Sequence, residues 1–268
     1  MRPFKHDGIS FNYRDIGNGL PFVFQHGLGG DVNQPCDLLS PPAGIRLIAF
    51  DCRGHGETEP LGPEDKIAIA SFADDLAALL DHLKIERAVL GGISMGAAVS
   101  VNFALRRPER VLGLVQSRPA WLAGPNHDNA RFFNYVAHLL REHGASRGRE
   151  IFCKSEIYRE VFAESPDVAS SLAGQFDNEH AVKRSIRLER IPLDAPYQHL
   201  DELSAVRVPT IVLANREDPI HPFQYGETIS QQIPAAEFHE LTPKSINVDQ
   251  HAEDVQRFIT EFLGKHFA

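Results

Sequence analysis

Ser94 stands in Gly92-Ile-Ser-Met-Gly96, directly behind the apolar run Ala88-Val-Leu90, and a serine in that setting is placed for nucleophilic attack. The flanking glycines let a strand and a helix approach closely, so that a sharp turn lifts the hydroxyl into a cleft. A serine hydroxyl is a poor nucleophile until a base takes its proton, and the base needs an acid to fix its tautomer. Two more side chains are therefore required. Asp218 supplies the acid, because Asn215-Arg-Glu-Asp-Pro-Ile-His221 begins just past the apolar run Thr210-Ile-Val-Leu-Ala214; Glu217 is the neighbour that could substitute. The loop His26-Gly-Leu-Gly-Gly30 follows Phe22-Val-Phe-Gln25 and can turn backbone N–H groups into the same cleft. Leu28 and Met95 amides would then hold the oxyanion, at about 3 kcal/mol per donor.

The elements that must position these groups are legible in the apolar pattern. Short, turn-bounded runs at Arg46–Phe50, Ala88–Leu90, Val111–Val115, Thr210–Ala214 and Glu237–Leu241 read as buried parallel strands. Ile9–Tyr13 alternates, and the turn Gly17-Asn-Gly19 leads into the apolar strand Pro21–Phe24, which together predict an antiparallel entry to the sheet. Ser71 with Asp74 predicts a capping box opening a helix whose apolar face holds Phe72, Leu76, Leu79, Leu80 and Leu83. The last helix repeats that spacing at Val255, Phe258, Ile259, Phe262 and Leu263. Alternating strands and helices give an α/β fold class, a mostly parallel central sheet with helices on both faces.

Between Pro119 and Leu200 the rhythm changes to consecutive helices, including Asn129–His143 and Ser155–Glu164. The expected division is a core of 1–118 and 201–268 with a helical cap at 119–200. A lid over the sheet's carboxyl edge shapes a pocket and excludes water. Trp121 and Phe132 are the expected substrate-binding aromatics, with Phe133 and Tyr135 beside them.

Composition narrows the function classes. A net charge of −9, from 27 Lys+Arg against 36 Asp+Glu, opposes phosphate backbones and anionic membranes. Nucleic acid and membrane are therefore not expected partners; a small-molecule substrate is, and a homo-oligomer is compatible. The start Met-Arg-Pro-Phe-Lys-His-Asp-Gly has no apolar signal core, which points to a cytoplasmic protein. Cys36, Cys52 and Cys153 lack metal-site or disulfide spacing and read as buried thiols. No metal and no cofactor is called for.

The order of strand, His-Gly loop, Asp51-Cys-Arg-Gly-His-Gly56, serine turn, helical insertion, Asp218 and a late histidine resembles the α/β-hydrolase superfamily along the whole chain. It is most similar to the small cofactor-free serine branch of enol-lactone hydrolases, carbon–carbon bond hydrolases, esterases and non-haem haloperoxidases. The resemblance implies that Asp51, Arg53 and His55 are architectural. It also implies Gly-His about seventeen residues ahead of Phe262-Leu263, near Ser245, and Leu241-Thr-Pro-Lys-Ser-Ile-Asn-Val has no histidine there. His251, at the start of the final helix, is the replacement expected to act as base; His221 and His239 are weaker candidates. The function expected is hydrolysis of a small, largely apolar carboxylic ester, lactone or thioester through an acyl-enzyme. The alternatives are a carbon–carbon bond hydrolase with the same triad and a non-catalytic ligand-binding protein on that scaffold.

Overall fold

A computed structural model describes residues 4–234 and 236–267, the side chains at 127, 129 and 130 excepted. Residues 1–3 and Ala268, which the expected boundaries include, lie outside the described residues. The elements in chain order are β1 (Phe4–His6), β2 (Ile9–Phe11), β3 (Tyr13–Gly17), β4 (Leu20–Gln25), α1 (Asn33–Leu38), β5 (Ile45–Phe50), α2 (Ile69–His82), β6 (Ala88–Ile93), α3 (Met95–Arg106) and β7 (Val111–Ser117). There follow α4 (His127–Lys154), α5 (Glu156–Glu164), α6 (Pro166–Gly174), α7 (Ile186–Arg190), β8 (Thr210–Ala214), α8 (Phe223–Gln232), β9 (Ala236–Glu240) and α9 (Val248–Phe267).

The main sheet runs β3-β5-β4-β6-β7-β8-β9, parallel throughout except for β3 against β5. Every residue of β6 and of β8 is buried, as a central strand covered on both faces requires. The alternating stretch 9–13 is divided rather than continuous: β2 pairs with β1 in a separate two-stranded sheet, and β3 carries the antiparallel edge.

Helix α2 buries Phe72, Leu76, Leu79 and Leu80 as the spacing predicts, each contributing about 2 kcal/mol. Its start differs from the expected capping box. The helix opens at Ile69, two residues early, and Asp194 Oδ2 from the inserted helical region accepts the Ile69 N–H at 2.6 Å. Asp74 instead accepts from Arg106 and Arg107, both at 2.8 Å. An orphan amide takes whichever carboxylate packing brings closest.

Between β7 and β8 the described residues form helices and no strand. The long α4 contains a break at Gly144 (φ 71°, ψ 178°), which ends its first segment where the sequence predicts, at His143. Ser155 caps α5 by accepting the Tyr158 N–H at 3.1 Å. This region is stitched to the sheet domain by Asp194, by Asn102 donating to the Pro196 carbonyl, and by Arg184 on the Gly56 carbonyl and Glu59. Among the described residues, no helix is long and apolar enough to cross a membrane.

Candidate active site

Ser94 joins β6 to α3 with φ 56° and ψ −108°. Such a conformation costs a non-glycine residue about 1–3 kcal/mol and persists only where its surroundings enforce it. Here the enforcement is close packing. A Cβ on Gly92 would lie 2.5 Å from the Gly96 carbonyl carbon, and one on Gly96 would lie 2.4 Å from the Gln25 carbonyl oxygen. Those neighbours are backbone and cannot yield. The Ser94 N–H donates to the Ser117 carbonyl at 2.9 Å, and the Ser94 carbonyl accepts from Ala98 at 3.0 Å, which pins the turn on both sides. The side chain is left at the N-terminus of α3, where the helix dipole favours negative charge.

Asp218 leaves the end of β8 and folds its own loop. Its Oδ1 accepts the Ile220 and His221 N–H groups, both at 3.1 Å, a local turn that aspartate forms readily. That turn swings the His221 ring back so that Nδ1 donates to Asp218 Oδ2 at 2.8 Å. Burial alone would push the Asp218 carboxyl up, but the His221 ring, its N–H bonds and Arg118 outweigh burial and hold it well below the ordinary range. Burial pushes the His221 imidazole down, against the pull of Asp218, and Arg118 and Lys244 add to the lowering. The pair is thus an ionised acid beside a neutral imidazole.

The carboxylate's imidazole partner is His221, not His251. The His251 Nδ1 is engaged with the Thr242 carbonyl at 2.8 Å, inside the first turn of α9. Burial, then Arg118, lowers its pKa to about 4. Ser245, where the resemblance implies a histidine, donates to Glu217 at 2.6 Å, so Glu217 is occupied elsewhere. His239 packs its ring 4.3 Å from Phe258.

The His26–Gly30 loop is fixed from beneath. The buried His26 accepts the Cys52 N–H on Nε2 at 3.1 Å and donates from Nδ1 to the Gly27 carbonyl, which makes it neutral. Gly27 N–H is held by Gln34 Oε1 at 2.8 Å. The Leu28 carbonyl accepts from His55 Nε2 and from the buried Arg187 of α7. Neither Leu28 N–H nor Met95 N–H has an acceptor among the described hydrogen bonds. Asp51 accepts from Val32 N–H, Glu57 N–H and Asn12, while Arg53 forms a two-pronged bond to Asp75 at 2.7 Å. His55 lies with Nδ1 3.0 Å from the Arg53 carbonyl and Nε2 3.2 Å from the Leu28 carbonyl; burial pushes its pKa well down, so the neutral ring donates to one of the two. All three serve the architecture.

A cavity of about 310 Å³ opens over Ser94, with Leu28 and His221 in its wall. Phe133 of α4 and Val168 of α6 cover it from the helical region. Trp121 and Phe132 do not line it. Trp121 lines a separate small cavity with Ala98, Pro196 and Tyr197, and Phe132 faces a different cleft with Arg131 stacked 4.3 Å above its ring. One residue of helical phase decides between Phe132 and Phe133, and helical spacing alone cannot fix that phase. Two further residues line the cavity without a motif in the sequence to mark them: Arg118, which follows β7 with φ 47°, and Lys244, which lies one residue from Ser245. The three-residue spacing of Asp218 and His221 was a usable signal.

The chain is similar to known proteins over most of its length. The family described as alpha/beta hydrolase fold matches residues 21–245. A putative carbamate hydrolase, RutD, of Pseudomonas syringae pv. syringae is 30% identical over 222 residues, 80% of this chain and 82% of that protein. The 3-oxoadipate enol-lactonase 2 of Acinetobacter baylyi is 24% identical over 258 residues, covering 90% and 93%. Among solved structures, a thermophilic esterase from Thermogutta terrifontis, with malate bound, superposes with a TM-score of 0.73 at 26% identity, covering 100% of this chain and 98% of that one.

Proposed function

Because the chain belongs to the alpha/beta hydrolase fold family, we propose that it is a serine-dependent hydrolase of a small carboxylic ester, lactone or thioester, with 119–200 as its cap. One observation carries the reading: Ser94, held at a strained strand-to-helix turn, shares a cavity with an imidazole already hydrogen-bonded to a buried carboxylate.

In this mechanism Ser94 Oγ attacks the acyl carbon while His221 Nε2 takes the hydroxyl proton. Asp218 keeps the proton of His221 on Nδ1 and stabilises the imidazolium that forms. The oxyanion is received by the Leu28 and Met95 amides, aided by the N-terminus of α3. His221 then protonates the leaving alkoxide or thiolate. Water repeats the sequence on the acyl-enzyme, releasing the acid and restoring Ser94. The base is placed at His221 rather than His251 because His221 is the imidazole on the Asp218 carboxylate and in the cavity wall. Leu28, Ile93, Phe133, Val168 and Ile220 give the cavity its apolar share.

Hydrolysis of 4-nitrophenyl butyrate tests the reading. Wild-type protein should turn it over with saturation, and Ser94→Ala should reduce kcat by at least about a thousandfold. Equal rates in the two proteins would refute it.

A further inference from the structure

Two cations stand in the wall of the Ser94 cavity. Arg118 and Lys244 reach it from the ends of β7 and of the segment after β9. The Arg118 side chain is 8% exposed, its Nε is buried without an acceptor, and its charged neighbour is Asp218, whose Oδ2 lies 3.5 Å from Nη1. That oxygen is already committed to His221. No side-chain hydrogen bond from Arg118 occurs among the described residues. Lys244 has Asp167 of α6 at 3.8 Å, a loose contact at the rim of the cap. The two cations disfavour one another: Arg118 is the largest influence lowering the Lys244 pKa, ahead of burial. Like charges gathered in one enclosed wall, one with unused donors, are compensated best by an anion.

We propose that this cavity selects substrates whose acyl group carries a free carboxylate, which Arg118 and Lys244 receive while the scissile carbonyl lies on Ser94. This rests on the hydrolase reading for its second half only. The guanidinium offers a planar fork to the carboxylate and the ammonium a mobile point charge. Asp167 competes for Lys244 in the empty cavity and gives way when the substrate arrives. The mixed wall, apolar from Leu28 to Val168 and cationic at Arg118 and Lys244, suits a short chain with a charged end rather than a wholly apolar acyl group.

Glutarate is the probe, titrated calorimetrically into the full chain at low salt. Saturable binding with a Kd of about 1 mM or tighter is expected. Lys244→Met and Arg118→Met should each weaken it about tenfold or more, Arg118→Lys less, and Asp167→Asn should tighten it, a gain that a merely structural contact would not produce. If Arg118→Met does not fold, the Lys244 and Asp167 variants decide. In parallel, kcat/KM is compared for 4-nitrophenyl hydrogen glutarate and its methyl ester, which differ in that charge and one methyl group. A preference of about tenfold for the acid, collapsing toward unity in Lys244→Met, supports the proposal. Absence of glutarate binding, or binding unaffected by Lys244→Met, overturns it. Phosphonate labelling of Ser94 separates the two readings. Glutarate binding without labelling would retain the anion site and remove the hydrolase; labelling without glutarate binding would do the reverse.

Discussion

His221→Gln is the perturbation that separates this site from one in which His251 is the base. The substitution removes the ring that donates to Asp218 Oδ2 at 2.8 Å but leaves both backbone N–H bonds to Oδ1, each 3.1 Å, so the loop after β8 keeps its shape. The stability cost is that of one charge-assisted hydrogen bond, about 1.5–3 kcal/mol. The catalytic cost is the whole general-base contribution, a factor of about 10²–10⁴ in kcat, or about 3–5 kcal/mol of transition-state stabilisation. His251→Gln removes a bond to the Thr242 carbonyl outside the cavity wall and should leave kcat within about threefold. Both variants are assayed by 4-nitrophenyl butyrate turnover from pH 4.5 to 9, after circular dichroism has established that they are folded. Neutral imidazole is the active form, so the wild-type rate should rise with pH. Because burial, then Arg118 and Lys244, lower the His221 pKa against the pull of Asp218, the inflection should fall below 6.5. The reasoning is refuted if His251→Gln loses activity while His221→Gln keeps it. An inflection in the lysine range would refute it equally, since Lys244 would then be the base.

Asp218→Asn should lower kcat by about 10³–10⁴ and Glu217→Gln by much less, because only Asp218 touches the imidazole; steady-state kinetics of the two variants decide the ranking. Arg187→Met frees the Leu28 carbonyl on one side, and should cut kcat about tenfold with little change in KM, the signature of an interaction that matters in the transition state. His251, whose pKa is lowered to about 4, binds its proton less readily folded than unfolded at 6.5. Its contribution to stability is full above pH 6.5 and is lost as pH falls toward 4, about 3 kcal/mol over that window; urea midpoints of wild type and His251→Asn should converge at low pH. Prolonged chelation should leave turnover intact, and a loss restored by zinc would contradict the serine mechanism.

The sheet was readable because its central strands are apolar on both faces, a pattern that Thr210–Ala214 shares with few other local structures. Gly92 and Gly96 were equally legible: two backbones meet there, and that requirement is written into the residue type. The imidazole partner of Asp218 was harder to place. Asp218 and His221 are three residues apart on a loop, and only the turn made by the Ile220 and His221 amides brings ring and carboxylate together. His251 has the appearance of a catalytic residue in sequence because it opens a helix near the sheet edge, yet a backbone carbonyl within the same segment takes its Nδ1. Asp74 is drawn away from the expected capping box by Arg106, the last residue of α3, and by Arg107 just past it. The choice between Phe132 and Phe133 turned on a single step of helical phase, and Arg118 carried no sequence signal beyond its place after an apolar strand.

The measurement closest to the central claim is intact mass after treatment with a fluorophosphonate at neutral pH, in wild-type protein and in Ser94→Ala. An activated serine attacks phosphorus while an ordinary one does not. The account predicts a single stoichiometric adduct on wild type, mapped by peptide sequencing to Ser94, absent from Ser94→Ala and formed far more slowly in His221→Gln. Wild-type protein that stays unlabelled under conditions that modify a control esterase, or an adduct that persists in Ser94→Ala, would contradict it.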